Sequence, residues 1–312
     1  MRRITLKQLR ALAATAYSGT VTGAAHALNV TPPAVTLQLR LLEEGAGLPL
    51  LERTKKGRRL TDGGRELLAT ANRVEAALVE CDEALEALRG MDGGRVSVAV
   101  VSTAKYFAPR ALAAFAQEHP KVEVKLRVGN REETIAALRS YEVDFAITGR
   151  PPQDSEVEKT VIGDHPHVIV GPENHPLAHR KRIDLKDLAE ETFLLREQGS
   201  GTRLLMQRLF SDAGLSPNLG MEMGSNETIK QAVMAGLGIA LISAHTISAE
   251  VADGRLAAFN VRGLPVVRQW FVVKHHDKRL LPAARALWDF FVTSGADFLP
   301  SLPMSRPSHR RR

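Results

Sequence analysis

Apolar side chains recur three and four residues apart from the start of the chain. Leu6, Leu9, Leu12 and Ala13 predict a helix over 5–18, and Gly19 stops it. A short alanine-rich helix follows from Val21 to Leu28, and Asn29-Val30 makes a tight turn. Thr31 is placed to cap a third helix with Pro32 at its first position, where a missing N–H costs nothing. Val35, Leu39 and Leu42 recur on its inner face. Two short helices, a tight turn and a capped third helix form a helix-turn-helix pattern. The run LPLLERTKKGRRLT then reads as a hairpin with a basic tip, a wing. Thr61 caps a long helix over 62–89. On it Leu67, Ala71, Val74, Leu78, Cys81, Leu85 and Leu88 alternate spacings of four and three, a heptad seam that predicts a partner helix and hence a dimer.

Beyond a hinge at Met91-Asp92-Gly93-Gly94 the pattern changes to alternating strands and helices. Strands are expected at 96–101, 122–128, 143–148, 167–171, 192–196, 218–224, 238–243 and 266–274, with helices between them and at 280–294. Such alternation predicts largely parallel sheets with helices on their faces. About 200 residues is large for one such sheet, and 150–165 reads as a crossing segment, so two lobes are expected. The fold class is therefore α plus α/β: a winged helix-turn-helix over 1–60, a linker and dimerisation helix over 61–90, a first lobe from 91–163 and 267–296, a second lobe over 164–266, and a disordered Pro/Ser/Arg-rich tail over 297–312.

Charge adds to this picture through its distribution. Residues 1–60 hold ten basic side chains against three acids, whereas 61–300 carry a net charge of −4. A basic head on a mildly acidic body points to a polyanion for the head. The chain has one cysteine, which excludes an intrachain disulfide framework and a multi-cysteine metal site. No stretch approaches the ~20 apolar residues of a membrane span, and Lys7, Gln8 and Arg10 interrupt the apolar run a signal peptide needs. A cytoplasmic protein with no metal or bound cofactor and no membrane partner is expected. No P-loop, GxGxxG after a strand, GxSxG or metal cluster supports an enzyme, here one acting on a phosphorylated metabolite.

The outer face of the third helix carries Pro33, Thr36, Leu37 and Arg40 next to the Thr31 cap. In a major groove Thr36 can hydrogen-bond a base, Leu37 can meet a thymine methyl, and Arg40 can read guanine or hold a phosphate. The plainer alternative is a solvated helix face. Arg53, Lys55, Lys56 and Arg58 on the wing suit phosphate or minor-groove contact; a charge run without a partner is the alternative. Cys81 on the seam reads as a small buried hydrophobe, and His165, His167, His275 and His276 as surface or hinge residues.

The run AAHALNVTPPAVTLQLRLLEEGAGLPLLERTKKGRRLTDGG closely resembles the N-terminal signature of LysR-type transcriptional regulators. VSTAKYFAPRALAAF (101–115), LLREQGSGTR (194–203) and GSNETIKQAVMAGLGIALIS (224–243) resemble the subgroup that controls carbon-fixation (Calvin cycle) operons. The resemblance implies a regulator of promoter or operator DNA, a homodimer or homotetramer, and RNA polymerase as a further partner. Activation of a metabolic operon is the commoner outcome in that family; a regulator of aromatic or amino-acid metabolism is the alternative. Members commonly carry Gln where this chain has Pro32 and often Arg where it has Leu37, so shape readout is expected to carry more of the specificity.

The resemblance also implies that the second region is like periplasmic binding proteins, with a small-molecule effector in a cleft between two lobes. Ser102, Thr103 and Thr148 follow strands, Ser200, Gly201 and Thr202 open one helix, and Asn226 opens another. Helix N-termini of this kind suit an anion; simple N-capping is the alternative. Lys105, Arg150, Arg196 and Arg203 lie close to these positions. If two or more point inward, the effector is polyanionic, because buried cations need partners. A phosphorylated metabolite or a dinucleotide phosphate fits.

Overall fold

A computed structural model describes residues 4–54, 57–88, 93–153 and 156–301. The chain divides into two compact units near residue 90. The first contains α1 (Leu6–Ser18), α2 (Val21–Ala27), α3 (Pro32–Ala46), the antiparallel hairpin β1 (Leu51–Thr54) and β2 (Gly57–Leu60), and α4 (Asp62–Leu88). Gly19 closes α1 in the left-handed region, φ 71°, and donates its N–H to Thr15. That conformation costs a residue with a Cβ about 1–2 kcal/mol. Leu9, Leu12, Val35, Leu39, Leu42 and Leu50 form the core, as the periodicity predicts. Leu67 and Ala71 of α4 belong to that core and not to the seam, so the exposed stripe begins later, at Val74, Leu78 and Leu85 (36, 40 and 45% exposed). Cys81 is exposed in the single chain, contrary to the buried reading. The side chain of Leu88, Lys55 and Lys56, and the hinge residues Met91 and Asp92 lie outside the described residues.

The second unit has two lobes. In the first, β3 (Gly94–Val101) pairs in parallel with β4 (Val122–Gly129) and β5 (Phe145–Thr148), flanked by α5 (Ala108–Glu118), α6 (Arg131–Arg139) and α10 (Pro282–Ser294). Phe107, Phe115, Phe145, Trp270 and Phe291 fill its core. The segment expected to cross between lobes is a long strand, β6 (Val157–Pro172), and it pairs antiparallel along β11 (Val266–His275). The second lobe holds β7 (Thr192–Arg196) and β8 (Asn218–Met223) in parallel, α7 (Gly201–Asp212), α8 (Asn226–Met234), β9 (Ala240–Ser243), α9 (Ser248–Ala252) and β10 (Leu256–Ala258). β9 and β10 both pair antiparallel with the far half of β6.

The sheets are thus mixed rather than largely parallel, because every pairing made by β6 and β11 is antiparallel. β6 starts ten residues before the expected strand. Its first half lacks strict alternation, with Glu158 and Lys159 both exposed, and Gly163 and Pro166 further interrupt the pattern that period-2 reading relies on. The expected tail begins too early: Phe298 and Leu299 pack on the core of the first lobe, and Ser248 Oγ donates to the Ser301 carbonyl at 3.1 Å. Residues 302–312 lie outside the described residues. No described helix is long and apolar enough to cross a membrane.

Candidate functional site

In the first unit the side chains named for groove reading share one outer face. Thr31, Pro33, Thr36, Leu37 and Arg40 are all exposed. Thr31 occupies the N-cap with extended backbone, but its side chain makes no capping bond. Thr36 Oγ1 donates back to the Pro32 carbonyl at 3.0 Å, and Arg40 pairs loosely with Glu44 at 3.3 Å. An exposed pair of this kind is worth about 0.3–0.5 kcal/mol, so Arg40 is free to exchange it for a phosphate or a base. On the hairpin Arg53 and Arg58 face each other as cross-strand partners. Like charges there repel unless a polyanion lies between them.

In the second unit a narrow cavity opens between the lobes. Strand ends and a helix start converge on it: Ser102 and Thr103 after β3, Thr148 and Arg150 around the end of β5, Arg196 at the end of β7, and Ser200, Gly201 and Thr202 at the start of α7. Eight of the predicted residues therefore meet in one place. The Ser200 side chain makes no capping bond, so the first-turn N–H groups of α7 have no acceptor from it. That leaves a helix N-terminus open to an anion.

Three predicted residues do not line the cavity. Lys105 turns to Glu227 at 3.9 Å and to the Tyr106 ring. Arg203 donates to the Arg196 carbonyl and to Glu222. Asn226, almost fully buried, accepts from Arg196 and positions it. Arg196 itself is only 4% exposed; it donates to Glu197 at 2.7 and 2.8 Å and to Ser102 Oγ at 3.2 Å, which ties the second lobe to the first.

The cavity also contains residues the sequence reading passed over: Asn130, Arg131, His165, His167 and Arg268. His165 and His167 are buried, which corrects the surface or hinge assignment. Arg268 and His165 are direct cross-strand partners on β11 and β6. Alternation carried the missed signal, since His165 and His167 share one face of β6, and Arg268 and Trp270 one face of β11. Arg131 Nε donates to the Arg150 carbonyl at 2.9 Å. Burial, and then repulsion from Arg150, Arg208 and Arg131, pulls the Arg268 guanidinium down to about 10. Burial, with the positive charges of Arg268 and His245, likewise holds His167 down to about 3 despite its hydrogen bonds to backbone carbonyls. None of the lining residues among those described is acidic. Among the described residues no group of His, Cys, Asp or Glu could hold a metal ion.

Comparison with known proteins agrees with both units. Residues 6–65 match the family of bacterial regulatory helix-turn-helix proteins of the lysR type, and 89–296 match the LysR substrate binding domain. The chain is 54% identical over 301 residues to the HTH-type transcriptional regulator CbbR of Xanthobacter flavus, covering 96% of this chain and 90% of that protein. It is 43% identical to the RuBisCO operon transcriptional regulator of Allochromatium vinosum, covering 94% and 97%. The structure of the Synechocystis PCC6803 CcmR regulatory domain in complex with 2-PG aligns at a TM-score of 0.62 and 36% identity, covering 64% of this chain and 96% of that one. These relatives are regulators and not enzymes. By the match of both units, the chain belongs to the LysR family of DNA-binding transcription regulators, with an N-terminal helix-turn-helix and a two-lobed effector-binding region.

Proposed function

We propose that this chain is an effector-responsive activator of a carbon-fixation operon, and that its effector is a small phosphorylated metabolite. The observation that carries the effector class is the lining of the interlobe cavity. Arg131, Arg150, Arg196 and Arg268 face it beside the open N-terminus of α7, and among the described residues no acidic side chain lines it. A polyanion is the ligand such a site needs. The target follows from the RuBisCO operon regulator of Allochromatium vinosum and from CbbR of Xanthobacter flavus.

The exposed Val74, Leu78 and Leu85 of α4 pair two chains, and Cys81 lies on the same seam. The dimer, joined further into a tetramer, sets α3 of each copy in a major groove, with Arg53, Lys55, Lys56 and Arg58 on the backbone. Effector binding favours one arrangement of the subunits and so alters DNA bending and contact with RNA polymerase; it does this only through different affinities for the two arrangements. A nuclease footprint on the promoter region beside this gene, with and without 2-PG, tests the reading. Protection of that region, shifted by 2-PG but not by an uncharged sugar, is expected. Binding to random duplex as tight as to the promoter at moderate salt refutes the DNA reading, and a footprint blind to every phosphorylated metabolite refutes the effector class.

A further inference from the structure

The two strands that run through both lobes bring Arg268 and His165 opposite each other in the wall of the cavity. His165 Nε2 is bonded to Ser243 Oγ at 3.0 Å, but its Nδ1 is buried and has no partner among the described residues. A buried polar atom left without a partner costs about 1–3 kcal/mol, so native sites that keep one use it. Close to Nδ1 stands Gly149, another lining residue; a Cβ there would come within 2.4 Å of that nitrogen. The imidazole lies flat on Trp270, ring centroids 3.7 Å apart. An indole face supports a cation stacked on it.

The charges around this ring come from every side and nearly all are positive. Arg268 faces it from β11, Arg150 and Arg131 lie across the cavity, and Arg196 approaches from β7. His167 lies tilted against it on β6 and His245 lies beyond, with centroids at 4.3 and 6.0 Å. Asp164, the neighbouring acid on β6, acts on His245. Burial, then His167, His245 and Arg268, pushes His165 well below its ordinary value, which favours the neutral ring. His245 accepts from Trp270 Nε1 at 3.2 Å, and His167 Nδ1 donates to the His165 carbonyl at 3.1 Å. Each of the three rings thus has one nitrogen engaged, and among the described residues His165 Nδ1 is the ring nitrogen left buried without a partner.

Resting on the reading that the cleft takes an anion, we propose that Arg268 and His165 are its specificity-determining pair: Arg268 fixes a dianionic group, and His165 takes up one proton when that group arrives. The site then binds anion and proton together. It favours a dianion such as a phosphate monoester over a carboxylate, because a second negative charge is needed to offset both the guanidinium and the new imidazolium. Lowering the pH strengthens binding, because the proton is a co-ligand.

Sulfate is the first probe, since it carries no titrating proton of its own between pH 6 and 8, and 2-PG is the second. Affinity of the full-length protein is measured by tryptophan fluorescence and calorimetry in chloride buffers. Wild-type affinity for sulfate is expected to fall by about tenfold from pH 6 to pH 8. H165N is expected to bind with a change of less than about twofold over that range, and R268Q to bind at least about tenfold more weakly at every pH. A flat wild-type profile overturns the proposal, as does an unchanged slope in H165N or unchanged affinity in R268Q. If H165N does not fold, the wild-type slope and R268Q still decide. Folded wild type that binds neither sulfate nor 2-PG overturns the anionic-effector reading itself; binding without a pH slope overturns only this inference.

Discussion

Replacing Arg196 with Met separates the role of a buried cation from that of a ligand contact. Arg196 is 4% exposed and spends its donors inside the protein: two bonds to Glu197, one to Asn226 and one to Ser102. At most one guanidinium N–H remains for an effector. Methionine matches the stem but leaves the Glu197 carboxylate without its cation. It also leaves Asn226, whose Nδ2 already has no partner, without its remaining bond. Breaking a buried pair from one side costs about 3–5 kcal/mol. Glu197 is 21% exposed at its side chain, which places the expected loss toward the lower end, about 3 kcal/mol. Much of that cost is the stranded carboxylate, so R196M/E197Q is expected to recover about 1–2 kcal/mol. Urea unfolding followed by far-ultraviolet circular dichroism measures all four corners of the cycle. An R196M protein within about 1 kcal/mol of wild type refutes the buried-network argument, and so does a double variant no more stable than R196M.

Other expected outcomes test separate parts of the structure. G149A drives a methyl into His165 Nδ1 and lifts the ring off Trp270; a loss of about 1–3 kcal/mol in thermal unfolding, with weakened sulfate binding, is expected, and an unchanged melting temperature counts against the close approach. L78D puts a charge in the exposed α4 stripe, and light scattering is expected to report single chains where wild type reports oligomers. His167 and His245 are held mainly by burial at about 3 and about 4, below the ordinary 6.5 they regain on unfolding. Their contribution is complete above pH 6.5 and is lost as the pH falls toward 4, by up to about 1.4 kcal/mol per pH unit for each; urea midpoints that stay constant from pH 7 to pH 4.5 contradict it.

What could be read from the sequence was what is local. Helix periodicity, the Thr61 cap on Gly64, the left-handed Gly19 and the polar residues just after β3, β5 and β7 are all set by neighbours within a few positions. The seam showed the limit of that reading. A 4-3 spacing identifies a face but not its partner, and Leu67 and Ala71 spend theirs on the winged domain's own core. Lys105 and Arg203 sit within a few residues of true lining positions, yet local geometry turns them to Glu227 and Glu222, and Asn226 at the start of α8 meets Arg196 instead of the cavity. Sequence proximity to a site is not orientation toward it.

The residues with the most unusual environment were hidden for the opposite reason. His165 and Arg268 become neighbours only when β6 and β11, about 100 residues apart, pair antiparallel in one particular register. A slip by one residue would turn both side chains to the other face of the sheet. That register is set over the whole length of two strands that serve both lobes, including a shift between Trp270 and Phe271. The role proposed for the pair rests on the same non-locality. The strands are the covalent and hydrogen-bonded frame common to both lobes, so a charge placed in their shared wall acts on Ser102 and Arg131 of one lobe and Arg196 of the other at once. An anion bound only at the α7 N-terminus would touch the second lobe alone. On the proposed role of the pair, one that also meets Arg268 would change the electrostatic balance of the frame itself, which is one way for an effector to interact differently with two arrangements.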